Sequence, residues 1–138
     1  MAEEYPQYYR YEGRPVVFVK TPDGGMGVWA LSPKTGEFEL NMGYLDKIWF
    51  GTTADIVTVS REEFIQRVEE YRGRRLKGDG PVYALYETVN SLVDTSRAEA
   101  RDLTAEENAL IHTLRLRTHE LFEAELRAQG RQGMPGDA

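Results

Sequence analysis

Residues 15–42 read P-V-V-F-V-K-T-P-D-G-G-M-G-V-W-A-L-S-P-K-T-G-E-F-E-L-N-M, and this stretch decides the fold. Its first six residues are β-branched and aromatic, the composition of a strand. They run into Thr21-Pro22-Asp23-Gly24-Gly25. There Pro22 presets φ for a turn, and the glycines take positive φ without a Cβ clash. Residues 26–31 form a second strand, with Val28 and Ala30 on one face and Trp29 and Leu31 on the other. Ser32-Pro33-Lys34-Thr35-Gly36 is the next turn. Phe38, Leu40 and Met42 then alternate with Glu37, Glu39 and Asn41, the pattern of a half-buried strand with one wet face. Three strands joined by short turns make an antiparallel meander.

The sheet extends outward from this meander. Residues 7–12 add a strand, with Tyr9 and Tyr11 on one face and Tyr8 on the other. Residues 47–51 and 55–59 are short apolar runs, either of which can lengthen the sheet. The expectation is four to six strands over residues 7–59, as a curved sheet or a small barrel. Gly25-Met26-Gly27 is not a phosphate loop, because a strand follows it where such a loop needs a helix N-terminus.

From residue 60 the texture becomes helical. Ser60-Arg61-Glu62-Glu63 has the form of a capping box, and Val59 with Phe64 suits a hydrophobic staple. Phe64, Ile65, Val68 and Tyr71 follow on one face, so a helix over about 60–73 should pack on the sheet. Pro81 opens a second helix, about 81–95, with Val82, Leu85, Tyr86, Val89, Leu92 and Val93 as its stripe. Thr104-Ala105-Glu106-Glu107 is another capping box and starts a third, about 104–129. It carries Leu103, Leu110, Leu114 and Leu121 near heptad spacing, joined by Ile111, Leu116, Phe122 and Leu126. The fold class is α+β: one domain over 1–129, with 130–138 as a flexible tail lacking an apolar pattern.

Residues 97–107, R-A-E-A-R-D-L-T-A-E-E, resemble the helical linker upstream of the folded core in major capsid proteins of tailed phages. That resemblance implies a phage or mobile-element structural component.

Composition excludes several functions. The chain has 138 residues, a net charge of -6 and a pI near 5.0, which argues against general nucleic-acid binding. No stretch is apolar enough to span a membrane. The start is acidic and tyrosine-rich, unlike a signal peptide. These features together suggest a cytoplasmic protein. With no cysteine there is no thiolate metal site and no cysteine nucleophile. Arg outnumbers Lys 13 to 4, the bias of a high-GC bacterial coding sequence. Charge is uneven: residues 1–60 carry -3, residues 61–78 carry +2 and residues 79–138 carry -5. The basic joint is Arg72, Arg74, Arg75 and Lys77. It suits either a partner's acidic surface or the negative end of a helix.

No catalytic constellation is present. His112 and His119 are seven residues apart, about 10 Å along a helix axis, too far to share one metal. The adjacent glutamate pairs 62–63, 69–70 and 106–107 diverge by about 100° on a helix. No metal or cofactor is expected, and the sequence leans away from an enzyme. It points to a protein-binding module, either an accessory or an inhibitor or immunity-type protein. Its candidate contacts are Tyr5, Tyr8, Tyr9 and Tyr11 at a tyrosine-rich edge, Arg72, Arg74 and Arg75 at the joint, and Leu114, Leu121 and Phe122 on the last helix. That helix is also the candidate for self-association. A different class, a ligand binder or enzyme, would use a pocket between sheet and helix lined by Trp29, Tyr44 and Trp49.

Overall fold

The computed structural model describes residues 4–51 and 54–136. Five strands, β1 (Gln7–Tyr11), β2 (Arg14–Lys20), β3 (Met26–Leu31), β4 (Phe38–Leu40) and β5 (Ile56–Val59), form one antiparallel sheet in the order β4-β3-β2-β1-β5. The sheet is open, so the barrel alternative does not hold. The meander lies as expected, with Val17 opposite Trp29 and Ala30 opposite Glu39. β1 and β2 are joined by a two-residue turn at Glu12-Gly13, both at positive φ. That geometry matches the twist of a hairpin and explains a glycine at position 13.

Each face of the sheet carries a helix. On one face α2 (Arg61–Arg75) packs Phe64, Ile65, Val68 and Tyr71 against Tyr8, Val17, Leu31 and Phe38. On the other, Val16, Phe18, Val28 and Ala30 are covered by Tyr44, Leu45 and Ile48 of α1 (Gly43–Phe50). Residues 47–50 are therefore helical, not the strand that the apolar run suggested. Asn41 starts the helix by accepting the Gly43 N–H at 3.2 Å. Tyr44, Leu45 and Ile48 then fall at helical spacing and reach the sheet together, which strand alternation would prevent.

α3 (Pro81–Ala98) and α4 (Ala105–Ala128) pack on each other and on α2. Pro81 is the first residue of α3, as expected. Thr104 and Glu107 form the reciprocal capping box of α4, at 3.0 and 2.9 Å. At α2 only the Ser60 half of the box forms, and the Glu63 carboxylate turns to Arg67 at 3.2 Å. The chain breaks helix between Ala98 and Ala105, so the capsid-linker-like segment is a corner between two helices.

Residues 131–136, expected as part of a flexible tail, lie back on the domain. The Gln132 carbonyl accepts the Phe38 N–H at 3.1 Å, which satisfies a donor on the edge strand β4. Arg131 pairs with Glu37 at 2.8 Å. Met134 is 3 % exposed and joins the α2-side core. A single methionine supplies the apolar anchor that a window average over Gly, Gln and Pro hides. Residues 137 and 138 lie outside the described residues.

Candidate functional site

The most unusual chemistry in the molecule is sealed inside it. Arg72, on the inward side of α2, is 0 % exposed. Its Nε and Nη2 donate to the Gly36 carbonyl at 3.0 and 2.8 Å. Nη1 donates to Glu69 at 2.9 Å, and Nη2 to Glu123 of α4 at 2.8 Å. The guanidinium lies over the Phe122 ring, 4.2 Å from its centre. The Tyr86 hydroxyl of α3 donates to the second Glu69 oxygen at 2.8 Å, and His119 Nδ1 lies 3.4 Å from the first. The Met134 N–H donates to Glu123 at 2.7 Å. Gly36 has φ +75°, and a Cβ there would meet Leu76 and Phe122 at 2.7 Å, so the carbonyl reaches Arg72 only because residue 36 has no side chain.

Burial alone would raise the Glu69 carboxyl, but Arg72 and His119 outweigh it and hold the group below the usual carboxylate range. Burial would lower the Arg72 guanidinium, and Glu69 and Glu123 hold it raised. Burial and the neighbouring Glu69 push the Tyr86 phenol up, so it stays a donor. Perturbed acids in a cleft suggest catalysis. Here Glu69 and Arg72 are closed off from solvent, and the groups are spent on one another. The cluster ties α2, α3, α4, the β3–β4 turn and the C-terminal segment together. Arg72 is thus a buried structural cation and not a surface contact.

The other expected contacts are dispersed. Tyr8 is buried against Phe64 at 4.8 Å. Tyr9 packs on Phe18 at 5.0 Å and Tyr11 edge-on to Tyr44 at 5.1 Å. Tyr5 is half-buried beneath the Lys20 ammonium. β1 is an inner strand of the sheet, so its tyrosines build both cores. Phe122 is buried, Leu114 and Leu121 are half-buried, and α4 instead exposes Leu110 and Leu116. Arg74 and Arg75 stay on the surface; Arg74 pairs with Asp94 at 2.8 Å and Arg75 stacks on Tyr71 at 3.8 Å. Trp29 packs on the α2 side of the sheet, whereas Tyr44 and Trp49 lie on the α1 side. Those three cannot line one pocket. Among the described residues no cluster of three or more acidic or histidine side chains could hold a metal. No helix among them is long and apolar enough to cross a membrane.

Among the described residues, the exposed aromatic rings gather at α1. Its inner side, Tyr44, Leu45 and Ile48, meets the sheet. Its outer side presents Trp49 at 44 % and Phe50 at 73 % exposure, with Met42 at the helix start also exposed. The Trp49 and Phe50 rings meet edge to face at 6.5 Å. None of the eight residues of α1 is buried. Sequence reasoning overlooked this face because it read the run as strand. The signal was present in Trp49-Phe50 directly following a helical triplet of apolar residues. No protein-family model, curated protein or solved structure matches the chain.

Proposed function

We propose that this chain is a small non-enzymatic protein-binding module whose interface is the outer face of α1. One observation carries the reading: an eight-residue helix with no buried residue, whose end leaves Phe50 73 % and Trp49 44 % exposed beside an exposed Met42. Large apolar side chains clustered on a surface mark interaction sites. Tyr44, Leu45 and Ile48 cover the sheet and Trp49 lays part of its ring on Phe18 at 5.8 Å, so Met42, Phe50 and the open half of Trp49 are surplus to this chain's own core. Large aromatic side chains of this kind anchor interfaces, because they bury rigid area at small entropic cost.

The partner is a protein with an apolar pocket and a basic rim. Charge supports this: residues 1–60, which contain α1, carry -3, and the whole chain carries -6. An accessory or inhibitor protein that masks a basic surface fits, in the bacterial cytoplasm that the arginine-rich, cysteine-free composition suggests. Self-association through α4 is the weaker version, since Phe122 is buried and Leu114 and Leu121 are half covered.

The test is affinity capture from cells that produce the protein, using wild type and Met42→Ser/Phe50→Ser, with solution mass measured for both. A stoichiometric protein held by wild type and lost by the variant, at an unchanged thermal midpoint, is the expected result. Equal capture by both, or a small molecule alone, overturns the reading. So does a wild-type mass of two chains that the variant halves, which would assign the face to a second copy.

A further inference from the structure

A second surface, remote from α1 and independent of the reading above, gathers cations. A cleft of about 310 Å³ lies where the β1–β2 turn meets α2, α3 and α4. Five arginines line it, Arg10, Arg74, Arg75, Arg97 and Arg115, against one carboxylate, Glu70. They come from four different elements, so no local run in the sequence reveals them. The basic joint is split: Arg72 turns inward to its buried cluster, while Arg74 and Arg75 turn to this cleft.

Its charges are poorly compensated. Glu70 is engaged by Arg67 at 2.8 Å and lies 3.5 Å from Arg115. Arg74 has Asp94, outside the cleft, at 2.8 Å. Among the described residues Arg75 has the Tyr71 ring and no ion pair. Among the described residues Arg97 makes no direct ion pair, and the Asp94 carboxylate that pairs with Arg74 is the acid that feels its charge. The Arg10 Nε is buried and has no hydrogen-bond acceptor. Arg115 shows only 12 % of its side chain. Burial lowers its guanidinium, Glu70 opposes that, and Arg67 and Arg74 add repulsion. An arginine does not discharge itself to escape such a setting, so these charges persist. A buried guanidinium N–H without an acceptor has a cost that an anion would remove.

We infer that this cleft binds a small molecule bearing phosphate, with at least two negative charges, held by Arg10, Arg75, Arg97 and Arg115. Guanidinium forks match phosphate oxygens in pairs. The volume sits at the low end of small-molecule sites, so the ligand is compact. Nucleic acid is the wrong shape of ligand, because the cations converge on a cavity within an acidic chain instead of tracking along a stripe.

The experiment is calorimetric titration of the full chain with inorganic pyrophosphate, beside a sodium chloride control matched in ionic strength. Wild type should bind pyrophosphate saturably. Arg10→Gln/Arg97→Gln should lose at least tenfold in affinity, and Arg127→Gln, at the far end of α4, should lose none. Arg97→Gln alone, at an exposed position, should weaken binding by severalfold without affecting the fold. No heat beyond the chloride control, or full affinity in Arg97→Gln and the double variant, overturns the inference. Tighter binding of citrate, or of a short single-stranded oligonucleotide, overturns the phosphate assignment.

Discussion

Replacing Arg72 by Met should be among the most damaging single changes in the molecule. The side chain is fully buried and serves three acceptors: Gly36, Glu69 and Glu123. Methionine fills much of the volume but leaves two carboxylates inside without their cation. Removing one partner of a buried ion pair costs about 3–5 kcal/mol, mostly the penalty of the stranded charge. Both carboxylates keep other partners, Tyr86 and His119 for Glu69 and the Met134 N–H for Glu123, which argues for the lower half of that range. Against a total stability of about 5–15 kcal/mol the loss is large. Urea denaturation at pH 7 reads it as a fall in midpoint at unchanged slope. The companion variant Arg72→Met/Glu69→Leu/Glu123→Leu should recover part of it, since it removes the stranded charges but leaves the Tyr86 hydroxyl and the Met134 N–H without their acceptors. Acid should narrow the gap between wild type and Arg72→Met. Glu69 has a depressed folded value, so its contribution is complete above the ordinary glutamate range near 4.3 and fades as pH falls through the folded value. A loss under about 1 kcal/mol at pH 7, or a triple variant no better than the single one, refutes the picture of a mutually dependent charge cluster.

Gly36→Ala should cost about 2 kcal/mol or more, because a side chain at φ +75° is strained and its Cβ meets Leu76 and Phe122; a neutral thermal midpoint would contradict this. Met134→Ala should cost about 2–3 kcal/mol for a buried methionine and should speed amide exchange at Phe38, whose N–H donates to Gln132. Unchanged exchange there would mean that the C-terminal segment does not guard β4. Thr104→Ala should remove the N-cap of α4 and cost about 1 kcal/mol, measured by urea titration.

Much of the fold was legible because its signals are local. Turn residues such as Pro22, Gly24 and Gly36 punctuate the meander, and Ser60 and Thr104 mark helix starts within a few residues. What stayed hidden is non-local. Residues 47–50 carry no cap motif, and an apolar run that short fits strand or helix until the sheet face beneath is known. Tyr8, Tyr9 and Tyr11 read as an interface because nothing in residues 7–11 says that β5 will pair on the far side and make β1 an inner strand. Arg72 read as a surface cation because its partners lie up to 51 residues away at Glu123. The arginine cleft is hidden for the same reason: Arg74 and Arg75 stand in the basic joint, but Arg10, Arg97 and Arg115 join them from three other elements. The C-terminal segment was misread because composition averages conceal a single anchor such as Met134.

The central claim is that the outer face of α1 is an interface. Trp49 emission tests it most directly, recorded in a Trp29→Phe background so that one indole reports. The free chain should emit as a half-exposed tryptophan that a soluble quencher reaches. Saturation with the captured protein partner should shift that emission to shorter wavelength and shield it from a soluble quencher. Unchanged emission and unchanged quenching, with the partner fully bound, would contradict the claim and place the interface elsewhere.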